Sequence, residues 1–146
     1  MIVGLGNDLV DIRRIEQSIE RFGERFLARV FTTGELATAR ARTTGGKALA
    51  AHLAKRFAAK EAAVKALDYP RGTGVSWRDI EVFSQPNGRP GLRLSGAAAR
   101  FLAEALPAGH APRLHLTLTD EWPYAQAVVI VEALPGLAAE VDEGHH

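Results

Sequence analysis

The sequence predicts an α+β fold in which a mostly antiparallel sheet packs against a long central helix. Three observations carry that prediction. Residues 2–10 (IVGLGNDLV) open the chain as a strand. Residues 47–67 (KALAAHLAKRFAAKEAAVKAL) hold neither Gly nor Pro and are rich in alanine, the strongest helix former. The other apolar segments are short and punctuated by turn residues. They give the order βααααββαββ, whose grouped helices and paired strands suit α+β rather than a parallel α/β sheet.

Each element has its own signal. On the first strand Ile2, Gly4, Gly6, Asp8 and Val10 share one face. Asp11 reads as a helix N-cap. Ile12, Ile15, Ile19 and Phe22 follow at helical spacing, and Gly23 stops that helix. Short helices are expected over 24–31 and 34–42, then a loop at Thr43-Thr44-Gly45-Gly46. In the long helix, Leu49, Leu53, Phe57, Val64 and Leu67 form the expected apolar stripe. Residues 70–74 read as a turn. Strands at 79–84 and 91–95 flank the hairpin connection Gln85-Pro86-Asn87-Gly88-Arg89-Pro90. A helix over 96–106 ends at Pro107. Strands at 113–119 and 125–133 are split by Asp120-Glu121-Trp122-Pro123-Tyr124.

The 146 residues suffice for one domain and are too few for two ordinary ones. The expected domain is 1–134. Residues 135–146 read as a loose tail, and Gly144-His145-His146 has the look of a trimmed purification tag, so its histidines are assigned no chemistry. Alanine accounts for 25 residues, so the core of large side chains is modest. The absence of cysteine excludes disulfides, thiolate zinc and a cysteine nucleophile, and fits a reducing compartment. No signal peptide and no membrane span are expected, which points to a cytoplasmic protein.

The formal net charge of +1 excludes a strongly basic nucleic-acid coat, but it conceals segregation. Residues 47–113 carry eleven basic and five acidic side chains, whereas 114–146 carry six acidic and none basic. All four lysines lie between Lys47 and Lys65. A positive middle in a near-neutral chain points to a local anionic ligand.

The candidate chemistry lies in the first strand and the long helix. With about 100° per residue and Leu53 as origin, Lys60 falls about 20° from Leu53, inside the apolar stripe, with Glu61 near 80° and Lys65 near 120°, while Arg56 lies about 60° on the opposite flank. Glu61 and Lys65 one turn apart form a common surface pair when read alone. Asp8 shares its face with Gly4 and Gly6, so nothing bulky on its own strand shields it from a ligand. Two carboxylates from separate elements, with lysines and arginines near, suit a Mg²⁺ site that also takes phosphate oxygens.

These residues carry a resemblance. Gly4-Leu5-Gly6-Asn7-Asp8-Leu9-Val10, paired with Phe57-Ala58-Ala59-Lys60-Glu61-Ala62-Ala63-Val64-Lys65-Ala66, resembles the two-part signature of the 4′-phosphopantetheinyl transferase superfamily, in its short bacterial branch. The resemblance spans residues 1–134, and the paired motifs are specific where either alone is not. It implies transfer of the phosphopantetheine arm of coenzyme A to a serine of an apo-acyl carrier protein, releasing adenosine 3′,5′-bisphosphate, in fatty acid biosynthesis. It implies Mg²⁺ ligation by Asp8 and Glu61, removal of the serine proton by Glu61 through water, and Lys65 steadying that water or the diphosphate. It implies that Lys60 faces phosphate oxygens, that Lys47 and Arg56 hold the nucleotide end with its 3′-phosphate, and that the turn with Gly88, Arg89 and Pro90 lies near the nucleotide. It also implies a homotrimer with active sites between subunits.

One position departs from the family pattern. Leu118 stands where the penultimate strand usually carries histidine, and alternation puts His115 on the opposite face. Thr117, Thr119 and Asp120 are the candidates to replace that histidine through water. His52 and His110 read as ordinary packing or surface residues.

Arg14 and Arg21 share a face of the first helix, with Arg25 beyond Gly23. Together they form a candidate docking strip for an acidic carrier, or else a solvated face, since Glu16, Glu20 and Glu24 intervene. Two rival functions stay open at this stage. A non-catalytic basic module for RNA or an acidic protein explains the charge excess but not Asp8, and it lacks aromatic stacking platforms. A different Mg²⁺-dependent nucleotide phosphotransferase keeps the carboxylate pair but lacks a P-loop.

Overall fold

The structure, a computed structural model, describes residues 1–69 and 76–136. The expected turn at 70–74 and all but two residues of the expected tail lie outside the described residues. Strand β1 (Ile2–Asp11) leads into α1 (Ile12–Phe22), α2 (Glu24–Val30), α3 (Thr33–Arg42) and α4 (Gly46–Leu67). A 3₁₀ turn at Trp77–Asp79 precedes β2 (Ile80–Ser84) and β3 (Pro90–Leu94). Helix α5 (Gly96–Ala105), β4 (His110–Glu121) and β5 (Tyr124–Pro135) follow as the last elements among the described residues.

Local chemistry sets the boundaries. The Asp11 side chain accepts the Arg13 N–H at 2.9 Å and caps α1. Gly23, at φ 56°, ends α1 in a backbone region that a side chain would strain. Thr32 and Glu35 form a reciprocal capping box at the start of α3.

The main sheet has the order β1-β5-β4 with antiparallel pairing throughout, while β2 and β3 form their own two-stranded hairpin. Strands β4 and β5 run twelve residues each, longer than their apolar centres predict. Pairing extends from His110–Pro135 to Glu121–Tyr124 and leaves only Trp122 and Pro123 outside. Asp120 reads as a turn residue, yet it pairs with Ala125 in the β4–β5 ladder, and Lys55 of α4 lies 3.2 Å from its carboxylate.

Helix α4 crosses the inner face of this sheet. Its expected stripe is only half the story: Leu53 and Leu67 are buried, whereas Leu49, Phe57 and Val64 lie at the margin of the core. Alanine supplies seven of the eleven buried positions of α4, with Ala54, Ala58, Ala59 and Ala62 fully buried. The reason is a backbone-on-backbone approach. A Cβ at Gly4 would collide with the Ala66 carbonyl, and one at Gly6 with the Ala62 carbonyl. Strand and helix therefore meet closer than side chains permit.

The opposite sheet face is open and carries an apolar strip along β1. Leu5 and Leu9 project from it with 64% and 60% of their surface exposed. Ile130 and Gln126 of β5 stand beside them in register.

Candidate active site

The glycine-rich start of β1 positions the first acid. Gly4 and Gly6 do not open space for a ligand, as their face suggests in sequence; α4 fills that space. Their effect is to draw β1 onto α4, so that Asp8, two residues on, meets the last turns of the helix. Asp8 is only 7% exposed. Its Oδ1 accepts a hydrogen bond from Lys65 Nζ at 2.7 Å, and Lys65 also donates to the Asn7 carbonyl at 3.1 Å. Its Oδ2 is buried without a hydrogen-bond partner. An unpartnered buried carboxylate oxygen is costly, about 1–3 kcal/mol or more for a charged group, unless a ligand completes it.

Glu61 of α4 is half-buried beside Asp8. Burial raises its carboxyl above the ordinary range, and the negative charge of Asp8 acts in the same direction. Lys65 and Arg14 pull the other way. Two carboxylates pressed together in this way favour a proton or a metal cation between them. Lys65 thus pairs with Asp8 rather than making the helical surface pair with Glu61.

The two acids open onto a cleft of about 400 Å³ between α1 and α4. Arg14, Arg21, Phe22 and Phe57 line it with them. Arg21 lies over the Phe22 ring at 5.3 Å, whereas Arg25 is not part of the lining. The donor set fits a hard divalent cation. No group of three or more His, Cys, Asp or Glu exists among the described residues, which excludes an all-protein zinc or calcium cage there. Two carboxylates with one free oxygen match Mg²⁺, which keeps its other positions for water and phosphate.

Lys60 stands elsewhere and corrects an expectation. It points to the core side, as its helical angle indicates, but it faces no phosphate site. It is fully buried, and Nζ donates to Glu35 Oε1 at 2.8 Å, the Trp77 carbonyl at 3.0 Å and the Ile80 carbonyl. Three donors are thus committed inside the protein. Glu35 is satisfied in turn by the backbone N–H groups of Thr32 and Val82. The pair fastens α3, α4 and the β2–β3 hairpin together.

Lys47 and Arg56 are also absent from the acidic cleft. Lys47 lies over the Trp122 ring at 5.1 Å. Arg56 is 7% exposed, and its recorded bond is a long one, 3.5 Å, to the His52 carbonyl. Burial, then the charge of Arg42, pushes its guanidinium down to about 10. Burial, then Arg56, Lys55 and Arg42, pushes His52 down to about 4. Arg42 is the member of this cationic group that sequence reasoning missed. Its only signal was a basic last turn on α3 just ahead of the long helix.

The hairpin turn forms a third region. Gln85, Asn87, Arg89 and Pro90 border a groove of about 610 Å³ whose other wall is β4 from Arg113 to Leu118. Gly88, at φ 85°, makes the turn. Leu118 lies on the inner sheet face, since it and Asp8 both register with Ala127. His115 is on the outer face and bonds Glu132 at 3.0 Å. Thr117 and Thr119 share that outer face by alternation, and Asp120 is engaged by Lys55.

The chain is similar to known proteins of one family along most of its length. A model of the 4′-phosphopantetheinyl transferase superfamily matches residues 4–125. The holo-[acyl-carrier-protein] synthase of Paramagnetospirillum magneticum is 64% identical over 135 residues, covering 92% of this chain and 99% of its own. The crystal structure of the Plasmodium yoelii holo-ACP synthase superposes with a TM-score of 0.75 at 30% identity, covering 90% of this chain and 94% of that one. A holo-(acyl-carrier-protein) synthase from Bacillus anthracis, solved in complex with CoA (3′,5′-ADP), gives 0.70 at 33% identity, with 92% and 99% covered. A strand that delivers Asp8 to a helix bearing Glu61 and Lys65, in a chain so matched along nearly its whole length, belongs to the 4′-phosphopantetheinyl transferase superfamily and is a phosphopantetheinyl transferase of the holo-[acyl-carrier-protein] synthase type.

Proposed function

We propose that this enzyme transfers the 4′-phosphopantetheine moiety of coenzyme A to a serine of an apo-acyl carrier protein, with Mg²⁺ held by Asp8 and Glu61. The observation that carries the reading is the meeting of these two carboxylates with Asp8 Oδ2 buried and unpartnered. When bound there, Mg²⁺ supplies charge neutralisation for the diphosphate and its leaving group. Glu61 takes the proton of the carrier serine through a water. The serine oxygen bonds to the phosphorus that bears pantetheine, the phosphoanhydride bond breaks, and adenosine 3′,5′-bisphosphate leaves. Lys65, at the exposed rim, steadies that water or the diphosphate. Phosphoryl transfer asks little more of a protein than such positioning and charge compensation.

The basic regions divide the remaining work. Arg14 and Arg21, which line the cleft, and Arg25 beyond them receive the acidic carrier. Lys47 and Arg56 receive the nucleotide end, with its 3′-phosphate. The buried guanidinium of Arg56, without a carboxylate partner, supports an anion there. The turn at Gly88, Arg89 and Pro90 closes over the nucleotide from a neighbouring subunit of a homotrimer. The separation of its groove from the acidic cleft and the exposed Leu5 and Leu9 on the open sheet face both support assembly. The enzyme serves fatty acid biosynthesis in the cytoplasm; among the described residues no helix is long and apolar enough to cross a membrane.

The test is direct. The protein is mixed with coenzyme A and several apo-carrier proteins, with Mg²⁺ or with a chelator, and the carrier is weighed by mass spectrometry. The expected result is a gain of one phosphopantetheine mass that requires Mg²⁺. No gain on any carrier overturns the reading.

A further inference from the structure

We infer that Lys65 is the resident counter-cation of Asp8 and thereby makes the uptake of Mg²⁺ and of the coenzyme A diphosphate mutually dependent. The inference rests on the reading of Asp8 and Glu61 as the cation site and adds to it how that site is kept when empty and how it is opened. Two carboxylates stand together with one ammonium close by. The ammonium sits on Asp8 Oδ1 at 2.7 Å and is steadied by the Asn7 carbonyl at 3.1 Å.

The two partners differ in freedom. The Asp8 side chain is 8% exposed and clamped where β1 meets α4, whereas the Lys65 side chain is 56% exposed. Asp8 is therefore the fixed member and Lys65 the movable one. Lysine is a compact charge on a flexible stem and changes partners readily. A divalent cation approaching Asp8 alone meets a like charge already on that carboxylate. A diphosphate arriving at the rim offers Lys65 new oxygens on the solvent side. The ammonium then leaves Oδ1, and a carboxylate with both oxygens free is ready for the metal. Whatever tightens one ligand in this arrangement tightens the other by the same factor.

Lys65 accordingly weakens metal binding to the free enzyme and strengthens the help that coenzyme A gives it. That role is separate from steadying a water during transfer, and it shows in binding without any carrier present. The test is calorimetric titration of Mg²⁺ into the protein, alone and saturated with coenzyme A, for wild type, Lys65→Met, Lys65→Gln and Asp8→Asn. In both Lys65 variants the free protein is expected to bind Mg²⁺ about tenfold more tightly, and the enhancement by coenzyme A to shrink by about the same factor. Unchanged or weaker Mg²⁺ binding to the free variants, or an undiminished enhancement, overturns the inference while leaving the cation site standing. Wild-type Mg²⁺ binding by Asp8→Asn overturns the site itself and this inference with it.

Discussion

Asp8 is a carboxylate with one oxygen met and one not: Lys65 Nζ lies 2.7 Å from Oδ1, and Oδ2 is buried alone. Glu61 feels that charge at close range, on top of its own burial, and its carboxyl titrates above the ordinary range. In the unfolded chain it titrates near 4.5. Folding therefore takes up a proton between the two values. The stability this contributes is complete below the lower value and is lost as pH rises through the higher one. With divalent cations chelated, Glu61→Gln should remove that loss, so that its melting temperature gains on wild type as pH rises from about 4.5 toward neutrality. Parallel wild-type and Glu61→Gln melting curves across that window would show that the two acids are not in contact. Part of this site is legible in sequence, because Asp8 and Glu61 sit in recognisable motifs. The Lys65–Asp8 bond is not, since the sequence offers Glu61 as the nearer helical partner, four residues away.

At the scale of elements, the site depends on how closely β1 lies on α4. Alanine hid that contact. The residues that mark an apolar stripe by size, Leu49, Phe57 and Val64, fall at the margin of the core, while alanines and glycines form the seam itself. A helix with no Gly or Pro over 47–67 is plain in sequence; which side of it meets a strand is not, when that side is made of the smallest residues. Gly6→Ala tests the seam. Its added methyl runs into the Ala62 carbonyl, so it should destabilise the fold by about 1–3 kcal/mol or more and lower transfer even where the protein is still folded. Denaturant unfolding and carrier mass give the two readouts; a variant that unfolds and reacts like wild type would remove the seam from the account. Lys60 poses the complementary case. Its helical angle reveals that it points inward, but its partner Glu35 is 25 residues away and carries no local signal. Lys60→Met strands a buried carboxylate and should cost about 3–5 kcal/mol, with Lys60→Met/Glu35→Leu recovering part of the loss. In the folded variants the coenzyme A KM should stay within about twofold of wild type, as expected when no contact with the ligand is lost. A tenfold rise would return Lys60 to the phosphate site.

For the whole molecule, the near-zero net charge is a sum of unlike surfaces. The acidic cleft, the cationic group around Arg42 and Arg56, and the hairpin groove at Arg89 are separate places in one chain. The antiparallel α+β architecture is legible from patterning alone, whereas the separation of these places is not, because it depends on which faces of α4 and the sheet meet in space. In the proposed homotrimer the open sheet face is the seam between copies. Leu5→Asp puts a charge on the β1 side of that face, and under the proposed homotrimer it should give a monomer in light scattering and abolish transfer with the monomer still folded. A fully active Leu5→Asp monomer would refute a site shared between subunits. The central claim, that Asp8 and Glu61 hold the cation on which transfer depends, is tested most directly by the initial rate of carrier modification for Asp8→Ala at limiting Mg²⁺. Asp8→Ala is expected to react at least about a thousandfold more slowly than wild type, with its far-ultraviolet circular dichroism spectrum unchanged. A rate near that of wild type at the same Mg²⁺ concentration would contradict it.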